Sequence, residues 1–537
     1  MKDLYGGNTN CLLVQTKFSD YSFWNYQDVC KIVGRKYPAA PLGLLTVAAL
    51  FPQHWNFKLV DENVEPLKDE HLQWADLVSI GGMLPQQTNM IALISRAHSL
   101  GCTVVVGGPD PTHQPDLYQE AEYLVLGEGE TTIPMFLEDL KKGVTKGKYV
   151  SGQMADMLQA VVPRYDLIRF NDYIMIGLQF IRGCPFNCEF CDVIELYGRT
   201  PRFKSNEQVF RELESLYNLG YRGHIDMVDD NFIGNKKKVK ALLNELIVWQ
   251  KARKYPFYFT TEASVNLADD DELLGLMKTA DFRYVFLGIE TPDNETLAHS
   301  NKTQNVNKPI GDAVLKILKH GMVSNGGYII GFDTDRPHIA DLMIDSIQDT
   351  GICMAMIGLL YALPNTQLTR RLETEKRLFH LTSQSLSLGD IDQMTSGLNF
   401  LTLMPRTVIL KNYIRVIDTI FNPKKYYDRV IYTGLKIKAD YKHKPDFKTW
   451  LLYMRSFLRV CKTAGFSKKT GLLYWKMFFT VIFRNPMGIE AAVNLAAMFI
   501  HFQKQKEYVV SVTSDLVRLI EREGEDSYNR RMMGESS

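Results

Sequence analysis

Short, continuously apolar runs rich in β-branched residues recur along much of this chain, each followed by a helical pattern. That alternation constrains the fold more than any other feature. A strand with apolar side chains on both sides must be covered on both faces, which happens in parallel sheets crossed over by helices. In the first block the runs lie at 11–16, 57–64, 77–82, 103–110 and 123–130. They predict an α/β fold built on a doubly wound parallel sheet. The runs end in Gly81-Gly82, Gly107-Gly108-Pro109-Asp110 and Gly127-Glu128-Gly129-Glu130. Ligands of open α/β sheets lie beyond the carboxyl ends of strands, where glycine lets backbone approach closely. These ends therefore mark either one binding crevice or ordinary turn chemistry.

Residues 143–170, with Gly143, Gly147, Gly152 and Pro163, read as a linker. Strand–helix alternation then resumes, with strands expected at 174–181, 225–229, 257–262, 284–290, 328–332 and 356–363. A helix over 206–219 is signalled by a Ser205/Gln208 capping box and by Gly220 as its stop. Six successive βα units predict a (βα)6 partial barrel with its chemistry at the strands' C-terminal ends. After about residue 400 the rhythm stops and aromatic, basic helical patterns take over. A chain of 537 residues allows three or four domains at roughly 150 residues each. The expected division is 8–145, 170–398 and a mostly helical 399–537, with the polar stretch from Glu521 fraying.

Eight cysteines in a chain of this length are too few for a disulfide scaffold. Three of them fall in Arg182-Gly183-Cys184-Pro185-Phe186-Asn187-Cys188-Glu189-Phe190-Cys191, directly after the first strand of the second block. Three thiolates on one loop suit three irons of a [4Fe–4S] cluster, leaving the fourth iron open to a small molecule. Cys184, Cys188 and Cys191 are thus the expected metal ligands and the centre of catalysis. A structural zinc site wants four ligands, usually as two spaced pairs, and no second pair is visible.

The cysteine run, with Phe190 before its third thiol, resembles the signature of the radical S-adenosylmethionine (SAM) superfamily. The resemblance implies a SAM molecule held on the open iron and cleaved to a 5′-deoxyadenosyl radical, with Phe190 near the adenine. It places Asp229 and Asp230 near the SAM amine, Glu262, Glu290 and Thr291 at strand ends facing the cofactor, and Lys302 as partner of the SAM carboxylate. Each acid taken singly reads equally as a turn or a helix cap.

The first block resembles the flavodoxin-like cobalamin-binding domain that precedes many radical SAM cores. This implies cofactor contacts at Gly43, Gly81, Gly82, Gly107, Gly108, Gly127, Glu128, Gly129 and Glu130. The Asp-x-His-x-x-Gly motif of domains that supply an axial histidine is missing. The cofactor is therefore expected to bind without a protein ligand to cobalt, unless the domain has lost it.

The order of blocks is similar to one branch of these enzymes, the hopanoid C-2 and bacteriochlorophyll side-chain methylases. It implies a cobalamin-dependent radical SAM C-methyltransferase acting on an unactivated carbon of an apolar, lipid- or tetrapyrrole-like substrate. A low-potential donor such as a ferredoxin or flavodoxin would supply electrons. A cobalamin-assisted rearrangement or oxidation, or a non-catalytic cluster and cobalamin sensor, are the alternatives.

The net charge of +1 is a cancellation: 401–510 holds 20 Lys/Arg against 6 Asp/Glu, so that segment is +14 and the remainder −13. The balance argues against a nucleic-acid binder. No apolar run reaches the ~18 residues of a membrane span, and 1–10 lacks a secretory pattern. The expected location is the cytoplasm, with peripheral membrane contact through the C-terminal domain as an option. There Trp475, Phe478, Phe479 and Phe483 stand among Lys468, Lys469, Lys476 and Arg484. The competing reading makes these aromatics the segment's own core.

Overall fold

In a computed structural model of the chain, residues 4–379 and 392–534 are described. The strands of the first part are β1 (Asn10–Gln15), β2 (Tyr37–Ala39), β3 (Asn56–Asp61), β4 (Leu77–Gly81), β5 (Thr103–Gly107), β6 (Tyr123–Leu126) and β7 (Gly147–Val150). All but β2 form one parallel sheet in the order β3-β1-β4-β5-β6-β7. With β2 set aside this is the flavodoxin-like order, extended by one strand. Alternate side chains go to opposite apolar layers, as a doubly wound sheet demands. Leu12, Val78 and Val104 meet Leu72, Met90 and Leu93 on one face, while Cys11, Leu77 and Val105 meet Phe51, Ile133 and Phe136 on the other.

The second part adds β8 (Tyr173–Leu178), the short antiparallel pair β9 (Ile181–Arg182) and β10 (Arg202–Phe203), then β11 (Gly223–Met227), β12 (Phe257–Ala263), β13 (Phe282–Glu290), β14 (Val323–Ile330) and β15 (Ala355–Leu359). Its main sheet is fully parallel, in the order β15-β14-β13-β12-β11-β8-β2. The six expected βα units are present. The helix Asn206–Asn218 closes its capping box through Gln208 N–H to Ser205 Oγ (3.3 Å) and Ser205 N–H to Gln208 Oε1 (2.8 Å).

Besides the short β10, two strands escaped the sequence reading. β2 lends the second sheet a seventh strand from the N-terminal region, pairing Tyr37 with Tyr173. It carries Pro38, which an edge strand tolerates because the missing N–H faces away from the ladder. β7 lies inside the stretch read as a linker. Its alternately exposed Gly-Lys-Tyr-Val shows no apolar run because it too is an edge.

The C-terminal part is helical, with helices Arg406–Ile420, Pro423–Lys436, Phe447–Val460, Gly471–Arg484, Ile489–Glu523 and Glu525–Met532. The stretch expected to fray from Glu521 is instead ordered through Met532, because Glu525 accepts from the backbone N–H of Arg406 and from the Thr407 hydroxyl (3.1 Å). Residues 535–537 lie outside the described residues. The helices share one continuous apolar core with the second sheet, and the Tyr413 hydroxyl donates to the Ile357 carbonyl of β15 (3.0 Å).

Candidate active site

The cysteine loop leaves β9 through Gly183, whose φ of +90° favours glycine and whose Cβ would stand 3.0 Å from the carbonyl oxygens of Tyr197 and Gly198. Each neighbouring strand end then holds the loop at a different point. From the end of β11, Asp229 accepts the N–H groups of Phe180 (2.7 Å) and Ile181 (2.6 Å), and Asp230 accepts that of Gly183 (2.6 Å). Beyond β13, the Ser300 carbonyl receives Glu189 N–H (3.1 Å). The Glu189 carboxylate pairs with Arg371 (3.0 Å), which also reaches Asp333 after β14 (2.8 Å). Phe190 packs edge-on against Phe332, ring centroids 5.7 Å apart. Three thiols on so short a loop need this many anchors, because their relative positions decide whether one cluster can take all three.

All three thiols are unbridged. Burial raises their proton affinity, and the Lys302 cation opposes that rise at each of them. Gln304 Nε2 donates to Cys188 Sγ at 3.7 Å. Among the described residues no three His, Cys, Asp or Glu side chains converge on a single ion. Three thiols on one loop, one per iron, are the donor set that a cluster asks for.

Facing the loop, β13 ends in Gly288-Ile289-Glu290-Thr291. Glu290 has a φ of +67°, a conformation non-glycine residues hold only where the surroundings impose it. Its buried carboxylate binds Lys302 Nζ at 2.6 Å. A Cβ on Gly288 would stand 2.7 Å from Glu290 Oε1 and 2.9 Å from Lys302 Nζ, so the glycine makes room for the pair. Asn305 Nδ2 donates to the Gly288 carbonyl at 2.8 Å. Against the pull of desolvation, Glu290 and then Cys188 keep Lys302 protonated. Lys302 was expected to meet a SAM carboxylate; the structure gives it Glu290 as its internal partner.

Glu262, next to last in β12, is solvent-accessible yet closely surrounded by protein. Enclosure first, and then Asp226, Asp230 and Asp229, push its pKa up to about 8. Burial pushes Asp226 to about 7, Asp229 to about 8 and Asp230 to about 6. Of the two acids expected near the SAM amine, both spend an oxygen on loop backbone. Asp229 keeps Oδ2 buried and unpartnered.

The glycine-rich edge of the first sheet divides into two groups. A Cβ on Gly108 would stand 2.9 Å from Gly82 N, one on Gly107 2.6 Å from Val125 O, and one on Gly82 2.8 Å from Gln86 Oε1. These glycines, with Gly81 beside them, let neighbouring loops close on each other. Gly129 abuts Ile133 (3.1 Å), whereas a Cβ on Gly43 or Gly127 would meet nothing within 4 Å. At the switch point between β1 and β4, the buried Thr16 hydroxyl has no partner.

Glu128 and Glu130 depart most from expectation. They are not open to a crevice: Arg182 binds Glu128 at 2.7 Å and Glu130 at 2.9 Å, and Arg202 binds Glu128 at 2.9 Å. Arg182 overcomes the upward push of burial and holds Glu130 below the usual carboxylate range. This buried clamp ties the end of β6 to the residue that opens the cysteine loop. Sequence reasoning quoted Arg182 within the motif and missed its role; Arg202, Arg371, Gln304 and Asn305 carried no signal at all.

A flavodoxin-like sheet beside an open parallel half-barrel that presents a Cys-x3-Cys-x2-Cys loop is the architecture of a radical SAM protein with an additional N-terminal α/β domain. Residues 178–359 match the Radical SAM superfamily, and residues 366–514 match a domain of unknown function, DUF4070. An uncharacterized methyltransferase of Synechocystis sp. is 42% identical over 491 residues, covering 91% of this chain and 90% of the relative. The hopanoid C-2 methylase of Rhodopseudomonas palustris is 38% identical over 344 residues, 63% of this chain and 65% of that protein. The cobalamin-dependent SAM radical enzyme OxsB, solved with aqua-cobalamin bound, shares the fold at a TM-score of 0.59 and 15% identity, over 98% of this chain and 83% of that one. The chain belongs to the radical SAM superfamily and, within it, to the methyltransferase family of the Synechocystis relative.

Proposed function

We propose that this radical SAM enzyme is a cobalamin-dependent C-methyltransferase acting on an unactivated carbon of a large apolar substrate of lipid or tetrapyrrole type. The observation that carries the reading is the Arg182 clamp: Glu128 and Glu130 bind the side chain that directly precedes Gly183-Cys184. The clamp thereby sets the start of the thiol loop beside the end of β6 in the first sheet.

Cys184, Cys188 and Cys191 would hold a [4Fe–4S] cluster, and SAM would lie against Phe190, Glu262 and the Glu290–Thr291 strand end. The acids around Glu262 suit a cationic sulfonium. The open space at Gly43 and Gly127 and the orphaned Thr16 hydroxyl fit cobalamin at the first sheet's switch point. When bound, these groups supply reductive one-electron chemistry and a transferable methyl group. The protein's share is to orient them. Asp229 and Asp230 fix the loop backbone, Lys302 keeps a positive charge beside the thiolates, and the clamp keeps the two units in register. The hopanoid methylase relative supports a lipid-like substrate. The reading requires a low-potential electron donor, such as a ferredoxin or flavodoxin, in the cytoplasm.

The reconstituted protein, given SAM and a low-potential reductant, should release equal amounts of 5′-deoxyadenosine and S-adenosylhomocysteine with its substrate. Cys188→Ala should release neither. Production of 5′-deoxyadenosine alone would replace methyl transfer by a rearrangement or oxidation.

A further inference from the structure

Helices Phe447–Val460 and Gly471–Arg484 carry a concentration of exposed apolar side chains that the site leaves unused. Leu472 is 91% exposed, Phe483 81%, Phe466 78% and Phe447 75%. On the second helix Leu472, Phe479 and Phe483 recur at spacings of seven and four, which puts them on one stripe with Lys476 among them. The opposite stripe, Tyr474, Met477 and Val481, is buried. The helix thus has a buried side and an exposed apolar side. Phe478 packs on Phe457, ring centroids 5.9 Å apart, and the half-buried Trp475, whose ring N–H donates to the Gly465 carbonyl (3.0 Å), begins a row of stacked rings that runs out through Phe479 to Phe483.

The rim is as one-sided as the face. Residues 441–489 hold ten Lys/Arg and a single acid, Asp446. That acid is committed to capping the first helix, where it accepts Thr449 N–H at 2.7 Å. Lys442 pairs with Asp440, and Lys469 reaches Glu507 only at 4.0 Å. Among the described residues, Lys448, Arg455, Lys462, Lys468, Lys476 and Arg484 have no carboxylate partner. Among the same residues no helix is long and apolar enough to cross a membrane.

We propose that this face is a docking surface for an anionic lipid bilayer, on which the two helices lie with their aromatic side chains among the acyl chains. Rings flanked by Lys and Arg are the composition of helices that rest in the interfacial plane. Exposed apolar side chains grouped on neighbouring elements and rimmed by charge mark an interaction surface. The charge selects the partner: a second copy would oppose +9 to +9, whereas anionic headgroups neutralise it. The proposal is independent of the methyltransferase reading.

The test is sedimentation of the full-length, cluster-loaded protein with phosphatidylglycerol–phosphatidylcholine vesicles, and with phosphatidylcholine alone. The protein should pellet with the anionic vesicles, be released by salt, and show blue-shifted tryptophan emission from Trp450 and Trp475. Each Lys→Gln change on the rim should lower partitioning about five-fold, corresponding to ~1 kcal/mol per cation. The double variant Phe479→Glu/Phe483→Glu should stay in the supernatant with its cluster absorbance and SAM cleavage intact. The proposal is overturned if the wild type never pellets, if the folded double variant pellets like it, or if the substitutions instead dissolve a homodimer.

Discussion

At Gly288 the space a side chain would take is occupied by two charged atoms, Glu290 Oε1 and Lys302 Nζ, 2.7 and 2.9 Å from the position of a Cβ. Gly288→Ala is thus a test of whether that pair sets the cofactor's seat. Overpacking of this kind costs about 1–3 kcal/mol. SAM cleavage should fall roughly ten-fold or more, while iron content and helical signal stay unchanged. A second residue-scale expectation concerns Asp226, whose pKa burial pushes up to about 7. A carboxyl raised in the folded state binds its proton more tightly there than in the unfolded chain. Its contribution to stability is therefore full below the unfolded value of about 4 and lost as pH rises through 7. Asp226→Asn should raise the melting temperature at pH 8 more than at pH 4; equal shifts would refute the assignment. The cysteines were legible because their chemistry is written in their spacing. The roles of Asp229 and Glu128 were not, because a carboxylate's partner is fixed by elements far away in sequence.

Elements were legible where both faces of a strand are buried. The buried strands of both sheets declared themselves as apolar runs, since each is covered by helices on two sides. β2 and β7 did not: β2 is only three residues long and carries a proline, and β7 reads Gly-Lys-Tyr-Val with a single buried side chain, whereas the edges β3 and β15 still show an apolar run. The clamp between units was hidden too: Arg182 and Glu128 are 54 positions apart. It is also where the architecture is most open to challenge. Arg182→Met leaves two acids buried against one remaining arginine, and loss of one partner from a buried pair typically costs about 3–5 kcal/mol. The variant should be cut faster by protease within 143–170, and Glu128→Gln with Glu130→Gln should restore part of the resistance. Unchanged cleavage would show that the clamp does not hold the units together.

The whole molecule is bound together more tightly than three successive sequence textures suggest. The C-terminal helices complete the core of the second sheet. A chain ending at residue 399 should therefore aggregate on expression instead of yielding a smaller active enzyme; a soluble, monomeric, cluster-binding fragment would contradict this. The basic, aromatic texture of the helices was legible, but not which of their rings face outward, since that depends on the sheet they pack against. The N-terminal helix Gln27–Val33 packs on Ile489–Glu523, where Asp28 pairs with Lys504 at 2.6 Å. This contact has a consequence in time. Its two halves are 476 positions apart. A ribosome adding 5–20 residues per second needs about 25–95 s between making the first and the second. During that interval the early helix lacks its partner helix, so this face of the molecule is completed only when the last long helix has been made. The Asp28–Lys504 contact is thus expected to form late in folding, after the strands of both sheets have been made.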